Sequence, residues 1–448
     1  MAGPVRSIEE LDLSTGDGPQ DAGLSAGHAS GPMAAGTPLP PSNGLPGGAG
    51  SRSDGKAPKA RKGRRRRRRG PVFARSAEAS AASAAQEPDP FVAPIASSPS
   101  RRAAHHADVA GPFYGALDLG TNNCRLLVAV PREHGFRVVD AFSRIVRLGE
   151  GIGANGRLGE AAMARAIEAL KVCRDKLAER NVVRTRMIAT EACRAAENGE
   201  VFIARVQEET GLALEIVSQE NEARLAVAGC ASLVDTSASG VILFDIGGGS
   251  SELVWIDLAR ARGGRRRRMA DRIRSWMSLP VGVVNLSERH GGRHLTPQQF
   301  GAMVDEVAAM VATFPEGAAL DAAVAAGGVH MLGTSGTVTT LAGIHLKLPR
   351  YDRRRVDGTW LTGTRVADLV ADVSTMGYEA RVANPCIGRE RADLVLAGCA
   401  VLEAIRRRWP CERLRVADRG LREGLLVELM AADGVWRSGR RSTDKAHG

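Results

Sequence analysis

Two segments of this chain repeat the same order of residue types, and they constrain the fold more than any other feature. Residues 117–128 read Leu-Asp-Leu-Gly-Thr-Asn-Asn-Cys-Arg-Leu-Leu-Val, and residues 244–255 read Phe-Asp-Ile-Gly-Gly-Gly-Ser-Ser-Glu-Leu-Val-Trp. In each segment an apolar run ends on an aspartate, a turn with glycine follows, and a second apolar run leads away. This pattern predicts two β-hairpins, each with an acid where its turn begins, placed in two facing domains.

The turn residues are of the types that bind phosphate. Glycine lets backbone N–H groups approach a ligand closely, and hydroxyl and amide side chains add further hydrogen-bonding groups. The predicted phosphate-binding residues are Gly120, Thr121, Asn122, Gly247, Gly248, Gly249 and Ser250. Asp118 and Asp245 are predicted to hold a divalent metal between adjacent phosphoryl groups. The alternative, two hairpins without a ligand, gives no reason for an aspartate at the same place in both.

The motifs resemble those of a known family. Asp118-Leu-Gly-Thr-Asn-Asn and Asp245-Ile-Gly-Gly-Gly-Ser resemble the two phosphate loops of the actin, Hsp70 and sugar-kinase superfamily. Residues 190–198, 218–225 and 333–341 narrow the resemblance to the exopolyphosphatase and guanosine pentaphosphate phosphohydrolase (Ppx/GppA) family, in its short form. The resemblance covers about residues 113–432. It implies an α/β fold of two actin-like (ribonuclease H-like) domains around a central cleft.

The resemblance also implies roles for individual residues. Glu222 would be the base that activates water, with Glu220 as the alternative base, and Arg194 would face the substrate. Mg²⁺, with a monovalent cation as an open addition, would be the cofactor. Thr334, Ser335 and Gly336 precede a predicted helix whose N-terminal end would attract phosphate.

Other charged residues have two interpretations each. Glu252 stands opposite Arg125 when the two hairpins are aligned, so it either contributes to catalysis or forms a buried pair with an arginine. Arg391 and Arg419 lie close in the sequence to Asp393 and Asp418, and would either bind substrate or form structural ion pairs. Residues 353–355 are three consecutive arginines that either line the mouth of the cleft or lie in a solvated loop.

The chain divides into four regions by composition. Residues 1–112 are rich in Gly, Pro, Ser and Ala and are predicted to be disordered. Residues 113–230 and 231–432 are predicted to be the two actin-like domains, with a last helix after Gly420 that returns to the first domain. Residues 433–448 form a basic tail. The hydrophobic pattern predicts strands near 114–119, 124–130, 135–142, 186–190 and 213–217, and helices near 159–180, 199–209, 219–231, 296–312, 335–345, 362–375 and 389–409.

The net charge of +11 is concentrated in two arginine-rich runs, at residues 59–69 and 265–268. Such runs bind polyanions or simply remain solvated, and 4% aromatic residues disfavour base stacking. The cysteines are scattered along the sequence, indicating core residues in a reducing compartment. No apolar run approaches the ~20 residues of a membrane span, so we expect a cytoplasmic protein without membrane contact. The sequence does not decide whether the protein forms a homodimer.

The resemblance implies that the chain hydrolyses the terminal phosphate of inorganic polyphosphate. Three further functions compete with this one. Removal of the 5′ phosphate of guanosine pentaphosphate would use the same site. An ATP-driven actin-like or Hsp70-like machine would need an adenosine pocket and a partner-binding domain, and the short second domain, with Gly-Thr-Ser-Gly at residues 333–336, does not resemble one. A noncatalytic sensor of polyphosphate or of guanosine pentaphosphate would need the loops without a working base.

Overall fold

The computed structural model describes residues 111–259 and 268–436. The disorder predicted for the N-terminal region therefore concerns residues that, up to position 110, lie outside this range. The same holds for most of the second arginine-rich run and for the basic tail from position 437. Within the described residues, no helix is both long enough and apolar enough to cross a bilayer.

The first domain is built on a five-stranded sheet of order β3-β2-β1-β4-β5. Strands β1, β2 and β3 are antiparallel, whereas β4 and β5 run parallel to β1. Its elements are β1 (Tyr114–Leu119), β2 (Asn123–Pro131), β3 (Phe136–Ile145), α1 (Ile152–Asn155), α2 (Glu160–Glu179), β4 (Arg184–Ala189), α3 (Glu191–Ala195), α4 (Gly199–Thr210), β5 (Glu215–Ile216) and α5 (Gln219–Cys230).

The second domain repeats the hairpin and extends it to a six-stranded sheet of order β10-β11-β9-β6-β7-β8. Strands β6, β7 and β8 are antiparallel, and β9 runs parallel to β6. The elements are β6 (Gly240–Ile246), β7 (Ser251–Asp257), β8 (Ile273–Leu279), α6 (Val283–His290), α7 (Pro297–Val311), α8 (Gly317–Ala325), β9 (Val329–Thr334), α9 (Gly336–His345), α10 (Arg353–Val356), β10 (Trp360–Thr362), α11 (Gly363–Thr375), α12 (Tyr378–Ala383), α13 (Val395–Arg408), β11 (Arg413–Ala417) and α14 (Leu421–Ala432).

Helices α5 and α14 connect the two sheets. They pack together in an apolar cluster that includes Leu225 of α5, Leu425 of α14, Ala116 of β1 and Leu243 of β6. A Cβ placed on Gly229 of α5 would lie 2.0 Å from the carbonyl oxygen of the residue that precedes α14. Only glycine permits so close an approach of two helices, and this crossing fixes the relative position of the two hairpins.

Helix α14 also contacts the first sheet. Glu428 accepts a hydrogen bond of 2.7 Å from Arg186 of β4, and Asp433 accepts one of 3.0 Å from the hydroxyl of Tyr114 in β1. The position of the boundary between the domains along the chain stays a prediction.

The element boundaries differ from the sequence prediction in a few places. The helix expected over residues 389–409 begins only at Val395, because turns that contain Pro385 and Gly388 occupy the preceding residues. The strand expected over residues 213–217 shortens to two residues. All seven cysteines are free and buried. The fold brings two of them, Cys124 and Cys173, to 3.9 Å between their sulfur atoms.

Candidate active site

The two predicted hairpins have the same register. Asp118 pairs across its hairpin with Arg125, and Asp245 pairs with Glu252. The turn that we call loop 1 (residues 120–123) is closed by a 2.9 Å hydrogen bond from the N–H of its first residue to the carbonyl of its last. Loop 2 (residues 247–250) is closed by a bond of the same type and length. The sequence repeat is therefore also a repeat of backbone geometry.

Loops 1 and 2 are in direct contact. A Cβ on Gly248 would lie 2.9 Å from the Cβ of Thr121, and a Cβ on Gly249 would lie 2.8 Å from Thr121 Oγ1. Either distance is too short for a side chain, so these glycines let the loops meet. Asn122 Oδ1 is buried there without a hydrogen-bond partner among the described residues. The contact places the hydrogen-bonding groups predicted to hold phosphate in one cluster.

The acids beside the loops form an electrostatic cluster. Burial raises the pKa of Asp118, and burial together with the negative charge of Asp118 raises the pKa of Asp245 to about 6. Burial and the nearby charge of Asp245 raise the pKa of Glu252 to about 7. Burial and the charge of Glu252 raise the pKa of Glu222 well above its ordinary value. The four carboxyl groups predicted for metal binding and catalysis are thus close enough to influence one another.

Glu222 faces the interior of the site. It lies in the first turn of α5, where Ser218 caps the helix by accepting a hydrogen bond from the N–H of Asn221. Glu222 is 6% exposed, whereas Glu220 on the same turn is exposed to solvent. Arg224, two residues further along α5, lies 4.0 Å from Asp271. Of the two candidate bases, only Glu222 is buried among the other acids.

Arg194 binds Glu222 directly. Its Nη1 and Nη2 each donate to Oε2 of Glu222 at 3.2 Å, and Nη1 also donates to the carbonyl of Val217 at 2.6 Å. Glu191, one helical turn earlier in α3, accepts from Nε and Nη2 of Arg194. The arginine expected to face the substrate is thus held by two carboxylates, and its charge lowers the pKa of Glu222.

Glu252 is bound by hydroxyl groups. Ser250 Oγ donates to its Oε1 at 2.8 Å and Ser278 Oγ at 3.0 Å. Among the described residues, no arginine forms an ion pair with Glu252, so the interpretation as a buried arginine partner does not hold. The two serine hydroxyls fix the orientation of this carboxyl group next to loop 2.

The third predicted phosphate segment lies beside the second hairpin. Parallel pairing of β6 and β9 places Thr334 next to Asp245, and Thr334 Oγ1 donates to the carbonyl of Arg419 at 2.7 Å. Ser335 has a φ of 104°, a conformation that residues other than glycine rarely adopt, and its Oγ is buried without a partner among the described residues. Such strain concentrates at functional sites. Helix α9 begins at the next residue, so its positive N-terminal end lies beside this segment.

The fold adds two arginines that the sequence analysis did not assign to the site. Arg125 and Arg422 are half-buried, and the charge of each lowers the pKa of both Asp118 and Asp245. The place of Arg125 in the site could have been predicted from the sequence, because hairpin register puts it opposite Asp118. That of Arg422 could not, because its position depends on how α14 packs on the first sheet.

The remaining arginines have partners other than those nearest in sequence. Arg419 binds Asp357 and not Asp418, with 3.1 Å between Nε and Oδ2. Arg353 donates to Glu423 at 2.7 Å, so it belongs to an internal network, whereas the next two arginines of its run are exposed.

The residues present fit Mg²⁺ shared with a phosphorylated ligand. Within the described part of the chain, no group of three or more His, Cys, Asp or Glu side chains is arranged to hold a metal by itself. Mg²⁺ is commonly bound by one or two carboxylates together with substrate phosphates and water. Asp118 and Asp245 supply two carboxylates whose pKa values are raised by burial, and a bound cation would relieve that cost.

Comparison with known proteins agrees with this geometry. The model of the Ppx/GppA phosphatase family matches residues 127–433. Exopolyphosphatase 2 from Mycobacterium tuberculosis is 28% identical over 332 residues, which cover 70% of this chain and 97% of that protein. Guanosine-5'-triphosphate,3'-diphosphate pyrophosphatase from Aeromonas salmonicida is also 28% identical, over 71% of this chain and 60% of that protein.

Solved structures show the same fold. A Ppx/GppA family member from Aquifex aeolicus is 27% identical with a TM-score of 0.57, and the match covers 72% of this chain and 98% of that one. An exopolyphosphatase from Cytophaga hutchinsonii is 24% identical with a TM-score of 0.62, over 72% of this chain and 98% of that one. The mixed α/β fold with two sheets is thus the fold of the Ppx/GppA family, as the sequence predicted.

Proposed function

Because the chain belongs to the Ppx/GppA phosphatase family and is therefore a hydrolase of phosphoanhydride bonds, we propose that it is an exopolyphosphatase. It would remove the terminal phosphate from inorganic polyphosphate in the presence of Mg²⁺, with Glu222 as the base. The observation that carries this proposal is the contact between loops 1 and 2 beside the buried Glu222.

The loops and the arginines would bind the end of the polymer. Backbone N–H groups and hydroxyls of loops 1 and 2 suit the oxygens of the terminal phosphates, and the positive charges of Arg125 and Arg422 offset the charge of the polyanion. When bound between Asp118 and Asp245, Mg²⁺ would neutralise charge on the phosphate oxygens.

Glu222 would perform the proton transfer. A water molecule attacks the terminal phosphorus, its proton passes to the carboxylate of Glu222, and the bond from phosphorus to the bridging oxygen breaks. The products are phosphate and a polymer shorter by one unit. Arg194 opposes the rise in the pKa of Glu222 that burial causes, and it fixes the orientation of the carboxylate because two N–H groups of the arginine donate to the same oxygen.

Guanosine pentaphosphate is the second candidate substrate. It is favoured by the similarity to the pyrophosphatase from Aeromonas salmonicida, which matches as large a share of this chain as the exopolyphosphatase does. However, the chain spans only 60% of that pyrophosphatase and 97% of the exopolyphosphatase. The match to nearly the whole of the exopolyphosphatase supports polyphosphate as the first choice.

A comparison of substrates tests the proposal. Phosphate release is measured with polyphosphate of defined lengths, guanosine pentaphosphate and ATP, each with Mg²⁺ and with a chelator. We expect the highest kcat/KM for polyphosphate and loss of release with the chelator. Release from guanosine pentaphosphate alone would assign the enzyme to the second substrate, and binding of polyphosphate without release would indicate a sensor.

A further inference from the structure

The chain that follows β3 is bound to loop 1. The N–H groups of Val146 and Arg147 donate to the carbonyl of Asn122 at 2.9 and 3.1 Å, and the N–H of Gly149 donates to the carbonyl of Thr121 at 2.9 Å. We call residues 146–149 the strap. Since the strap satisfies two carbonyls of loop 1, a displacement of the strap displaces the loop.

The side chain of Arg147 leaves the first domain and reaches the second. Its Nη2 lies 3.2 Å from Oδ2 of Asp393, a residue just before α13. The backbone of Arg147 has a φ of 46°, which is unfavourable for a residue other than glycine and persists only where the surroundings impose it. Arg165 of α2 contributes by donating to the carbonyl of Val146 at 2.9 Å. The first domain therefore holds Arg147 in position to cross the cleft.

Asp393 is held equally firmly in the second domain. Ser287 Oγ of α6 donates to its carbonyl at 2.8 Å, and a Cβ on Gly292 would lie 2.1 Å from that carbonyl oxygen. Asp393 stands two residues after Arg391, whose Nη1 lies 3.4 Å from the position of a Cβ on Gly336. The ion pair thus joins loop 1 to the segment that carries Arg391 over the N-terminus of α9.

A second contact joins the two domains near the ion pair of Arg147 and Asp393. The N–H of Gly151, two residues after the strap, donates to Oε1 of Glu288 in α6 at 3.2 Å. Both contacts connect the segment behind loop 1 to the neighbourhood of α6. They lie away from the crossing of α5 and α14, which joins the domains through apolar packing.

We infer that Arg147 and Asp393 are positioning residues, whose ion pair sets the spacing between loop 1 and the Arg391–Gly336 segment so that both hold one phosphorylated substrate. The inference rests on the proposed function. Neither residue is placed at the reacting phosphate, so loss of the pair weakens substrate binding and leaves the chemical step almost unchanged. A partly exposed ion pair corresponds to a roughly two- to fivefold effect on KM.

The test is a double-mutant cycle with Arg147→Met, Asp393→Asn and the combined variant, assayed on polyphosphate of one short length. We expect KM to rise roughly two- to fivefold in each single variant, with kcat within about twofold of wild type. The combined variant is expected to be no worse than either single one, because both remove the same interaction. Arg147→Lys keeps the charge and should recover part of the binding.

Arg184→Met is the matched control. Arg184 forms a 3.0 Å ion pair with Asp433, but it lies at the end of β4 opposite to loop 1. The KM of the Arg184→Met variant should equal that of the wild type. Additive effects of the two single changes, an unchanged KM in both, or an equal rise in the control would overturn the inference.

Hydrogen exchange separates this inference from the proposed function. In the protein without substrate, Asp393→Asn should speed exchange of the amides at residues 146, 147 and 149, although the substitution is in the other domain. Unchanged exchange at these amides contradicts the inference even if no phosphorylated compound proves to be a substrate. Faster exchange together with absent phosphate release would leave the ion pair established and remove the proposed function.

Discussion

Arg194 holds Glu222 across the interior of the site, with two guanidinium nitrogens each 3.2 Å from the same carboxylate oxygen. The pair joins α3, which follows β4, to the first turn of α5. Burial raises the pKa of Glu222, and the positive charge of Arg194 opposes that rise. The balance among burial, the charges of the neighbouring acids and the charge of Arg194 decides the pH at which Glu222 can accept a proton.

Substitution of Arg194 should shift the pH dependence of the reaction. Without the guanidinium the pKa of Glu222 rises further, so in Arg194→Met the acidic limb of the kcat profile moves to higher pH. Arg194→Lys keeps a positive charge and should move the limb less. The measurement is phosphate release across pH at saturating substrate. A limb that stays in place or moves to lower pH would contradict the assigned pair.

The stability of the metal-free protein should fall as the pH rises above about 5. Folding raises the pKa of Glu252 to about 7 and of Asp245 to about 6, so over this range the folded state binds more protons than the unfolded state. The free energy of unfolding should decrease by about 4 kcal/mol between pH 5 and pH 7.5, measured in urea with a chelator present. Glu252→Gln removes one of these groups and should flatten the slope. A stability that rises over the same range would show that these acids are not buried as described.

The contact between the loops should not tolerate a side chain. In Gly248→Ala the new methyl group meets Thr121, which pushes loop 1 away from loop 2. We expect a loss of about 1–3 kcal/mol in stability and at least a roughly tenfold decrease in kcat/KM. Gly301→Ala is the control, since no atom lies within 4 Å of its Cβ position on α7. Equal behaviour of the two variants would argue against contact between the loops.

The crossing of α5 and α14 should be equally sensitive to an added side chain. A methyl group on Gly229 would lie 2.0 Å from the carbonyl oxygen of Gly420, so Gly229→Ala must separate the helices. We expect a loss of about 1–3 kcal/mol in thermal or urea unfolding. Gly153→Ala in α1, which has open space around its Cβ position, should leave stability almost unchanged. A stable Gly229→Ala variant would mean that the helices pack less closely than described.

The parts of the site that follow from local pattern could be predicted from the sequence. The apolar runs and the glycine turns predicted both hairpins, and their register follows once the turn is located. Glu222 could be proposed as the base because residues 218–225 resemble a motif of the Ppx/GppA family. Arg422 and the partner of Asp393 could not, because each depends on contacts between residues far apart in the chain. The same reason explains why Arg419 binds Asp357 and not its neighbour Asp418.

The central claim is that Glu222 is the base of a polyphosphate hydrolase. The most direct test is phosphate release from polyphosphate with Mg²⁺ by the wild type, Glu222→Gln and the control Glu220→Gln, with polyphosphate binding measured in parallel. We predict release by the wild type and by Glu220→Gln, a loss of about 10²- to 10⁴-fold in Glu222→Gln, and similar binding by all three. Full activity of Glu222→Gln, or its loss only in Glu220→Gln, would contradict the claim.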